Sequence, residues 1–192
     1  MTRRIILASA SPGRSELLRR TGLVFEVVPS KCDEETEAAT PEDHVRQLAL
    51  RKARAVSERH PDALVIAADS VAELDGRILG KPDSPEGARL MLGGLSGRFH
   101  RLLTGLAIVD GPTGKTYDGA EATLVHMRQL SSGEIDAYVR SGEPLEKSGS
   151  YELQGLGATI IDRIEGDFSN VVGLPMAHLA RALEPFGVHV LT

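Results

Sequence analysis

The sequence predicts an α/β protein in which a mixed, twisted sheet is flanked by helices. A continuous apolar run, Ala63–Ala68, is typical of a central strand covered on both faces. An antiparallel pair of strands is indicated by two longer runs, Phe99–Val109 and Thr116–Arg128, which are joined by the turn-rich segment DGPTG. Helical patterns lie between these runs. A chain of 192 residues suits one domain, or two small lobes that share a cleft.

The N-terminal segment predicts a strand, a loop and a helix in succession. Ile5–Ala8 is a short apolar run typical of a buried strand. Ser11 and Pro12 suit the N-cap and the first position of a helix, and Gly22 suits its C-terminal end.

The second predicted helix begins after Thr40 and carries one charged residue on its apolar face. This face is formed by Val45, Leu48, Ala49, Ala53 and Val56. Lys52 follows Leu48 by four residues and therefore falls on the same face. A lysine that points inward is uncommon and needs a partner.

The central strand Ala63–Ala68 is predicted to end directly before Asp69. A tight hairpin is predicted next, with Val71–Leu74 and Arg77–Leu79 as its strands and Asp75-Gly76 as its turn. The remaining predicted elements are helices from Ser84 to Leu95, from Ser131 to near Gly142 and over Pro175–Leu183, and strands over Ala158–Ile164 and Val188–Leu191.

Composition and charge exclude several classes of function. The formal net charge of −5 and the 4% aromatic content argue against a nucleic-acid-binding surface. No segment approaches the length of a membrane span, and the six histidines show no zinc-ligand spacing. Cys32 is the only cysteine, which favours a reducing compartment, so a cytoplasmic location is expected.

The loop before the first helix is a candidate anion site. A helix N-terminus offers backbone N–H groups and partial positive charge. Ser9 and Ser11 add hydroxyls, and Arg14 adds a guanidinium suited to bidentate phosphate contact. The alternative is an ordinary capped helix with a surface arginine.

Asp69 is the candidate central carboxylate. Ligands of α/β sheets bind beyond the carboxyl ends of strands, and an aspartate there can bind a metal or activate water. The alternative is an aspartate that only begins a turn.

Four basic residues are candidates for phosphate binding. Lys52, Lys81 and Lys147 would join Arg14 to balance about four negative charges, those of a triphosphate. Each lysine alone is more commonly a solvated surface residue.

Two further segments offer ligands for a metal and for a base. The acidic run Cys32–Glu35 is commonly a solvated loop, but it can supply a second carboxylate for a hard divalent cation. Tyr151–Gly157 and Gly166–Pro175 are rich in glycine, and Gln154 carries an amide that can donate and accept hydrogen bonds to a base edge. The alternative is a pair of ordinary loops.

Five motifs in order resemble the Maf family of nucleoside triphosphate pyrophosphatases. The motifs are L-A-S-A-S-P-x-R, the D-E pair, A-D-S-V with L-D-G-x-I-L-G-K-P, G-E-P-x-x-K-S-G-x-Y-x-x-Q-G-x-G, and G-D-F-S-N-V-V-G-L-P. They cover nearly the whole chain. The resemblance implies an elongated, two-lobed fold similar to inosine triphosphatase, with a central cleft. It also implies hydrolysis of the α–β phosphoanhydride with a divalent cation, Mg²⁺ or Mn²⁺.

The resemblance assigns roles to individual residues. Asp69 corresponds to the catalytic aspartate, and Glu34 to a metal or water contact beside it. The residues that correspond to substrate-binding positions are Ser9, Arg14, Lys52, Lys81 and Lys147. A homodimer is expected by resemblance alone.

Gln154 and the final motif resemble the branch of the family that acts on dTTP and UTP. Two departures affect specificity. Gly13 stands where the family usually has the first of two arginines, and Ser70 replaces the usual threonine. A preference for modified nucleotides therefore stays open, as does a non-catalytic, nucleotide-binding regulator of cell division. A phosphatase of the haloacid-dehalogenase kind is rejected, because Val71 occupies the position of its second aspartate.

Overall fold

The structure, a computed structural model, describes residues 3–191, and within this range the chain forms a mixed α/β fold. Its strands are β1 (Ile5–Leu7), β2 (Glu26–Val27), β3 (Leu64–Leu74), β4 (Arg77–Leu79), β5 (Phe99–Asp110), β6 (Thr116–Met127) and β7 (Ile161–Glu165). Its α-helices are α1 (Pro12–Arg19), α2 (Pro41–Ser57), α3 (Pro85–Leu95), α4 (Ser132–Arg140), α5 (Phe168–Val172) and α6 (Met176–Leu183).

The strands form one sheet in the order β2-β1-β3-β5-β6-β7, with β4 paired to β3. Strand β1 is parallel to both β2 and β3, whereas β4 is antiparallel to β3 and β7 is antiparallel to β6. The predicted mixed sheet with flanking helices is therefore confirmed.

The chain divides into two compact units, each with its own core. Within the described range, the first unit comprises residues 3–69, 104–121 and 173–191, and the second comprises 70–103 and 122–172. In the first unit, buried residues of α2 pack with those of β1, β3 and β5. In the second unit, buried residues of α3 and α4 pack with those of β5 and β6. The prediction of two lobes around a cleft stays a prediction.

Four of the predicted helix starts are confirmed by their capping contacts. The side chains of Ser11, Thr40 and Ser84 each accept a hydrogen bond from a backbone N–H three residues later. Ser131 and Glu134 form a capping box. These caps satisfy N–H groups that have no partner within the helix, so they fix where each helix begins.

Strand β3 differs from the prediction in a way that concerns the site. It does not end before Asp69 but continues to Leu74, so Asp69 lies in the middle of an 11-residue strand. No glycine, proline or asparagine interrupts the segment between Ala68 and Leu74. The strand ends only at Asp75-Gly76, where both residues adopt positive φ.

The C-terminal elements were predicted less well. The strand expected over Ala158–Ile164 begins at Ile161, because a 3₁₀ helix occupies Leu156–Thr159. No strand forms over residues 188–191, where Leu191 is 92% exposed. Alternating apolar residues form a strand only where another strand offers hydrogen bonds. None of the helices within residues 3–191 has the length and hydropathy needed to cross a bilayer.

Candidate active site

Lys52 and Asp69 form a buried ion pair in the first unit. Lys52 is 8% exposed and Asp69 is 7% exposed, and Nζ of Lys52 lies 2.6 Å from Oδ1 of Asp69. The same ammonium lies 2.8 Å from Oε1 of Glu34, whose side chain is 62% exposed. One lysine therefore joins a buried carboxylate to an exposed one.

The positions of Lys52 and Asp69 follow from their elements. Lys52 lies on the buried face of α2, together with Leu48 and Ala49. Asp69 belongs to β3, whose residues from Leu64 to Asp69 are all buried. Because a charge in a protein interior is unfavourable unless it is paired, each of the two residues supplies the partner that the other requires. The predicted inward lysine is confirmed.

Arg14 lies in the first turn of α1 and holds the backbone beside Asp69. Its Nη1 donates to the carbonyl of Ala68 at 2.8 Å, and its Nε donates to the carbonyl of Gly173 at 2.8 Å. Nη1 also donates to Oγ of Ser9 at 3.4 Å. Arg14 is therefore a partly buried residue that fixes the strand at the residue before Asp69, and the alternative of an ordinary surface arginine is wrong.

Burial lowers the pKa of Arg14, and the negative charges of Asp69 and Glu34 oppose this shift. The arginine stays charged, since its pKa begins far above neutrality. Its positive charge thus faces two carboxylates in the same unit. Ser9 is buried, and its Oγ accepts a hydrogen bond from the N–H of Ser11 at 3.2 Å. Gly13 is the second residue of α1.

The other predicted site residues belong to the second unit. Lys81 lies 3.7 Å from Glu146, with both side chains largely exposed, and Lys147 pairs with Glu152. The two lysine segments are adjacent, because the N–H of Gly149 donates to the carbonyl of Gly80 at 3.1 Å.

Ser70 and Gln154 also lie in the second unit. The backbone carbonyl of Ser70 accepts from Oγ of Ser148 at 3.0 Å, so Ser70 is tied to the segment that contains Lys147. Gln154 is exposed, in a turn before the Leu156–Thr159 3₁₀ helix. Each unit thus assembles its own subset of the predicted site: Ser9, Arg14, Glu34, Lys52 and Asp69 in the first, and Ser70, Lys81 and Lys147 in the second.

Two contributors to the site have no side-chain signal in the sequence. They are the carbonyl groups of Ala68 and Gly173, which accept from Arg14. Every residue carries a backbone carbonyl, so only the fold reveals which carbonyls a guanidinium reaches. Gly173 belongs to the last of the two glycine-rich segments, Gly166–Pro175.

Asp69 and Glu34 are the residues suited to a metal in the first unit. Across residues 3–191 no cluster of three or more histidine, cysteine, aspartate or glutamate side chains is arranged to hold an ion. Two carboxylates nevertheless fit Mg²⁺, which is commonly held by one or two protein carboxylates together with substrate phosphates and water. The ammonium of Lys52 lies between the same two carboxylates.

The arrangement in the first unit can activate water beside a phosphate. A buried carboxylate that is held by a lysine can accept a proton, and a guanidinium beside it can balance phosphate charge. The helix that begins at Pro12 adds its positive N-terminal end.

Comparisons with known proteins show which family this chain resembles over nearly its whole length. A family model described as Maf-like protein matches residues 4–186. The dTTP/UTP pyrophosphatase of Moorella thermoacetica is 48% identical over 188 residues, which are 97% of this chain and 97% of that protein. The dTTP/UTP pyrophosphatase of Symbiobacterium thermophilum is 46% identical over 189 residues, 98% of this chain and 96% of that protein.

A solved structure shares the fold. A HAM1 protein from Coxiella burnetii matches with a TM-score of 0.51 and 17% identity, over 95% of this chain and 99% of the other. At this identity the likeness concerns the fold alone. The resemblance drawn from the five motifs is confirmed by the family match and by the relatives at 46–48% identity. The chain belongs to the Maf family.

Proposed function

We propose that this chain hydrolyses nucleoside triphosphates to a nucleoside monophosphate and pyrophosphate, with a preference for dTTP and UTP. Such an enzyme removes unwanted nucleotides from the cellular pool. The observation that carries the proposal is the buried pair of Lys52 and Asp69, with Arg14 on the adjacent backbone. The relatives named dTTP/UTP pyrophosphatase are similar to this chain over almost its full length.

Asp69 is the proposed general base. Its carboxylate accepts a proton from the attacking water. The oxygen of this water bonds to phosphorus as the P–O–P bridge between the α and β phosphates breaks, and pyrophosphate is released with the nucleoside monophosphate. Lys52 holds this carboxylate in place through the 2.6 Å contact. Positioning and charge stabilisation supply most of the rate enhancement in phosphoryl transfer, so a pre-formed contact of this kind favours the reaction.

The cations are the proposed binding groups for the triphosphate. Arg14 and Ser9 lie at the start of α1, where backbone N–H groups also favour an anion. Lys81 and Lys147 belong to adjacent segments of the second unit and are paired with glutamates. The exposed carboxylate of Glu146 is 3.7 Å from Lys81, a separation at which a phosphate can compete for the lysine.

A divalent cation, Mg²⁺ or Mn²⁺, is part of the proposal, with Asp69 and Glu34 as its protein ligands. When bound, the ion neutralises charge on the phosphates and polarises the bond that breaks. Glu34 is exposed, and it can therefore move between Lys52 and the ion with little loss of packing.

Base preference is proposed to depend on Gln154, with Gly13 and Ser70 as further determinants. The amide of Gln154 can donate one hydrogen bond and accept another, and uracil and thymine present both kinds of group. The name of the relatives favours these two bases. Because Gly13 and Ser70 differ from the residues usual in the family, modified pyrimidine nucleotides should be tested alongside dTTP and UTP.

The proposed enzyme works in the cytoplasm as a homodimer and does not bind nucleic acid. The single cysteine supports the cytoplasmic location. The net charge of −5 supports the absence of nucleic-acid binding. The homodimer rests on the resemblance alone. Sedimentation equilibrium at several protein concentrations tests it, and a constant mass of one chain would contradict it.

A substrate panel tests the proposed function. The protein is incubated with each common nucleoside triphosphate, and with modified pyrimidine triphosphates, in the presence of Mg²⁺ or Mn²⁺. We expect dTTP and UTP to give the highest kcat/KM. A faster reaction with a modified nucleotide would overturn the base preference, and binding without turnover of any triphosphate would favour the regulator.

A further inference from the structure

The carboxylate of Glu143 holds the glycine-rich segment that carries Gln154. Its Oε2 accepts from the N–H of Leu156 at 2.8 Å, and its Oε1 accepts from the N–H of Gly157 at 2.9 Å. These three residues belong to the second unit. A carboxylate that receives two backbone N–H groups forms charge-assisted bonds, which are roughly twice as strong as neutral ones.

Tyr138 completes this arrangement from α4. Its hydroxyl donates to Oε1 of Glu143 at 2.7 Å and accepts from the N–H of Glu152 at 3.0 Å. Tyr138 is buried, so its hydroxyl is held at a defined place. Two side chains thus fix the backbone at Glu152 on one side of Gln154 and at Leu156 and Gly157 on the other.

The segment approaches the carboxylate of Glu143 most closely at Gly155. A Cβ added at Gly155 would overlap the carboxylate of Glu143. Gln154 directly precedes Gly155 and is itself exposed. The exposed amide is therefore presented from a backbone that is held on both sides of it.

The bonds to Glu143 outweigh the unfavourable effect of burial on its charge. Burial raises the pKa of the carboxyl, but the hydrogen bonds from Tyr138, Gly157 and Leu156 lower it more, and the net shift is downward. The carboxylate is thus ionised at neutral pH, as these bonds require.

We propose that Glu143 is a positioning residue that sets base selectivity by holding the segment that presents Gln154. The inference rests on the proposed function, because it concerns how that same site distinguishes bases. Glu143 acts through the backbone of the segment and does not touch the reacting phosphates in this account. Loss of its bonds should therefore raise KM and reduce selectivity, while kcat changes little.

Glu134 offers a matched control in the same unit. Its carboxylate also accepts from a backbone N–H, that of Ser131, and from the hydroxyl of the same residue. These bonds cap α4 and do not involve the segment of Gln154. Glu134→Gln thus weakens a comparable contact without releasing that segment.

The experiment compares the wild-type chain with Glu143→Gln, Gly155→Ala and Glu134→Gln. Glu143→Gln places an amide N–H₂ against a backbone donor. Gly155→Ala keeps Glu143 but adds a Cβ that would meet its carboxylate, so the segment and the carboxylate must separate. Hydrogen exchange at the backbone amides of Leu156 and Gly157 reports whether these two groups stay bonded to Glu143. Selectivity is measured as the ratio of kcat/KM for UTP to that for CTP, and as the ratio of their Kd values without divalent cation.

For Glu143→Gln and Gly155→Ala we expect faster exchange at both amides. We also expect the preference for UTP over CTP to fall about 10-fold, both in kcat/KM and in Kd. Glu134→Gln should leave exchange and both ratios at wild-type values. Wild-type exchange rates in folded Glu143→Gln, or faster exchange with unchanged selectivity, would overturn the inference. A wild-type chain without turnover would contradict the proposed function, whereas amide exchange and the Kd ratios would still decide the role of Glu143.

Discussion

The ammonium of Lys52 lies 2.6 Å from the carboxylate of Asp69, and both residues are buried. Lys52 comes from α2 and Asp69 from the middle of β3, so the pair forms only when the first unit is folded. The pair places a carboxylate and an ammonium together at a buried position. Electrostatic interactions are stronger in such surroundings than in bulk water.

Asp69→Asn should reduce kcat at least about 100-fold, because an amide cannot accept the proton of the attacking water. The Kd for UTP should change little, since the side chain keeps its size. Steady-state kinetics and calorimetric titration check the two values. Asp110→Asn is the control, because Asp110 is also a buried carboxylate of the first unit, paired with Arg3. Near-normal kcat in Asp69→Asn would remove Asp69 from the mechanism.

Lys52→Met should lower the free energy of unfolding by about 3–5 kcal/mol, because it leaves the carboxylate of Asp69 buried without its partner. The double variant Lys52→Met/Asp69→Asn should recover part of this loss. Urea denaturation of each variant measures both effects. Lys31→Met, at an exposed lysine of the first unit, should have little effect. A loss under about 1 kcal/mol for Lys52→Met would contradict a buried ion pair.

Lys52→Met should also impair the reaction itself. Lys52 orients Asp69 in this account, so kcat per folded molecule should fall together with stability. Activity is measured well below the unfolding temperature and corrected for the folded fraction. Unchanged activity of the folded molecules would mean that Lys52 is purely structural.

Arg14→Lys should raise KM for UTP about 10-fold, because an ammonium cannot contact the carbonyls of Ala68 and Gly173 and also face the phosphates. Initial rates over a range of UTP concentrations measure the effect. Arg19→Lys is the control on the same helix, since Arg19 is exposed and pairs with Glu16. Equal kinetics of the two variants would show that Arg14 has no part in substrate binding.

Glu34→Gln should raise the Mg²⁺ concentration for half-maximal activity about 10-fold, because an amide is a weaker ligand than a carboxylate for a hard cation. Removal of the cation with EDTA should abolish turnover of the wild-type enzyme. Titration of activity with Mg²⁺ measures the shift, and Glu35→Gln, at the next exposed position, should leave it unchanged. Full activity in EDTA would contradict the proposed metal.

The free energy of unfolding should fall as the pH is lowered from 7 to 4, with a contribution from His100. Burial, together with the nearby charge of His126, lowers the pKa of His100 from 6.5 to about 4. Between these values the unfolded chain binds a proton that the native chain does not bind, so acid favours unfolding. The contribution is up to about 3 kcal/mol.

His100→Gln should make this dependence on pH shallower, because glutamine does not titrate. Denaturation at a series of pH values gives the slope for each variant. His189→Gln, at an exposed histidine, serves as the control. An identical slope for the wild type and His100→Gln would show that His100 is not buried in its neutral form.

The sequence predicted the inward direction of Lys52 because helical spacing alone fixes the face on which a residue lies. It could not identify Asp69 as the partner, since that contact joins residues 17 positions apart on different elements. Asp69 was placed at a strand end, whereas the structure places it inside β3. The apolar run marked the strand correctly, but its end depends on where a turn becomes possible.

The contacts of Arg14 and Glu143 show a second reason for incomplete prediction. Both side chains bind backbone groups, at Ala68 and Gly173 for Arg14 and at Leu156 and Gly157 for Glu143. Backbone groups are the same in every residue and leave no pattern in the sequence. The motifs therefore pointed to Arg14 but not to the carbonyl groups that it contacts, and they assigned no role to Glu143.

The products formed from UTP decide which phosphoanhydride bond the enzyme breaks. Phosphorus NMR of a reaction with Mg²⁺ distinguishes the two possible cleavages within one experiment. We expect UMP and pyrophosphate in equal amounts, with no UDP as an intermediate. Accumulation of UDP and inorganic phosphate would contradict this expectation.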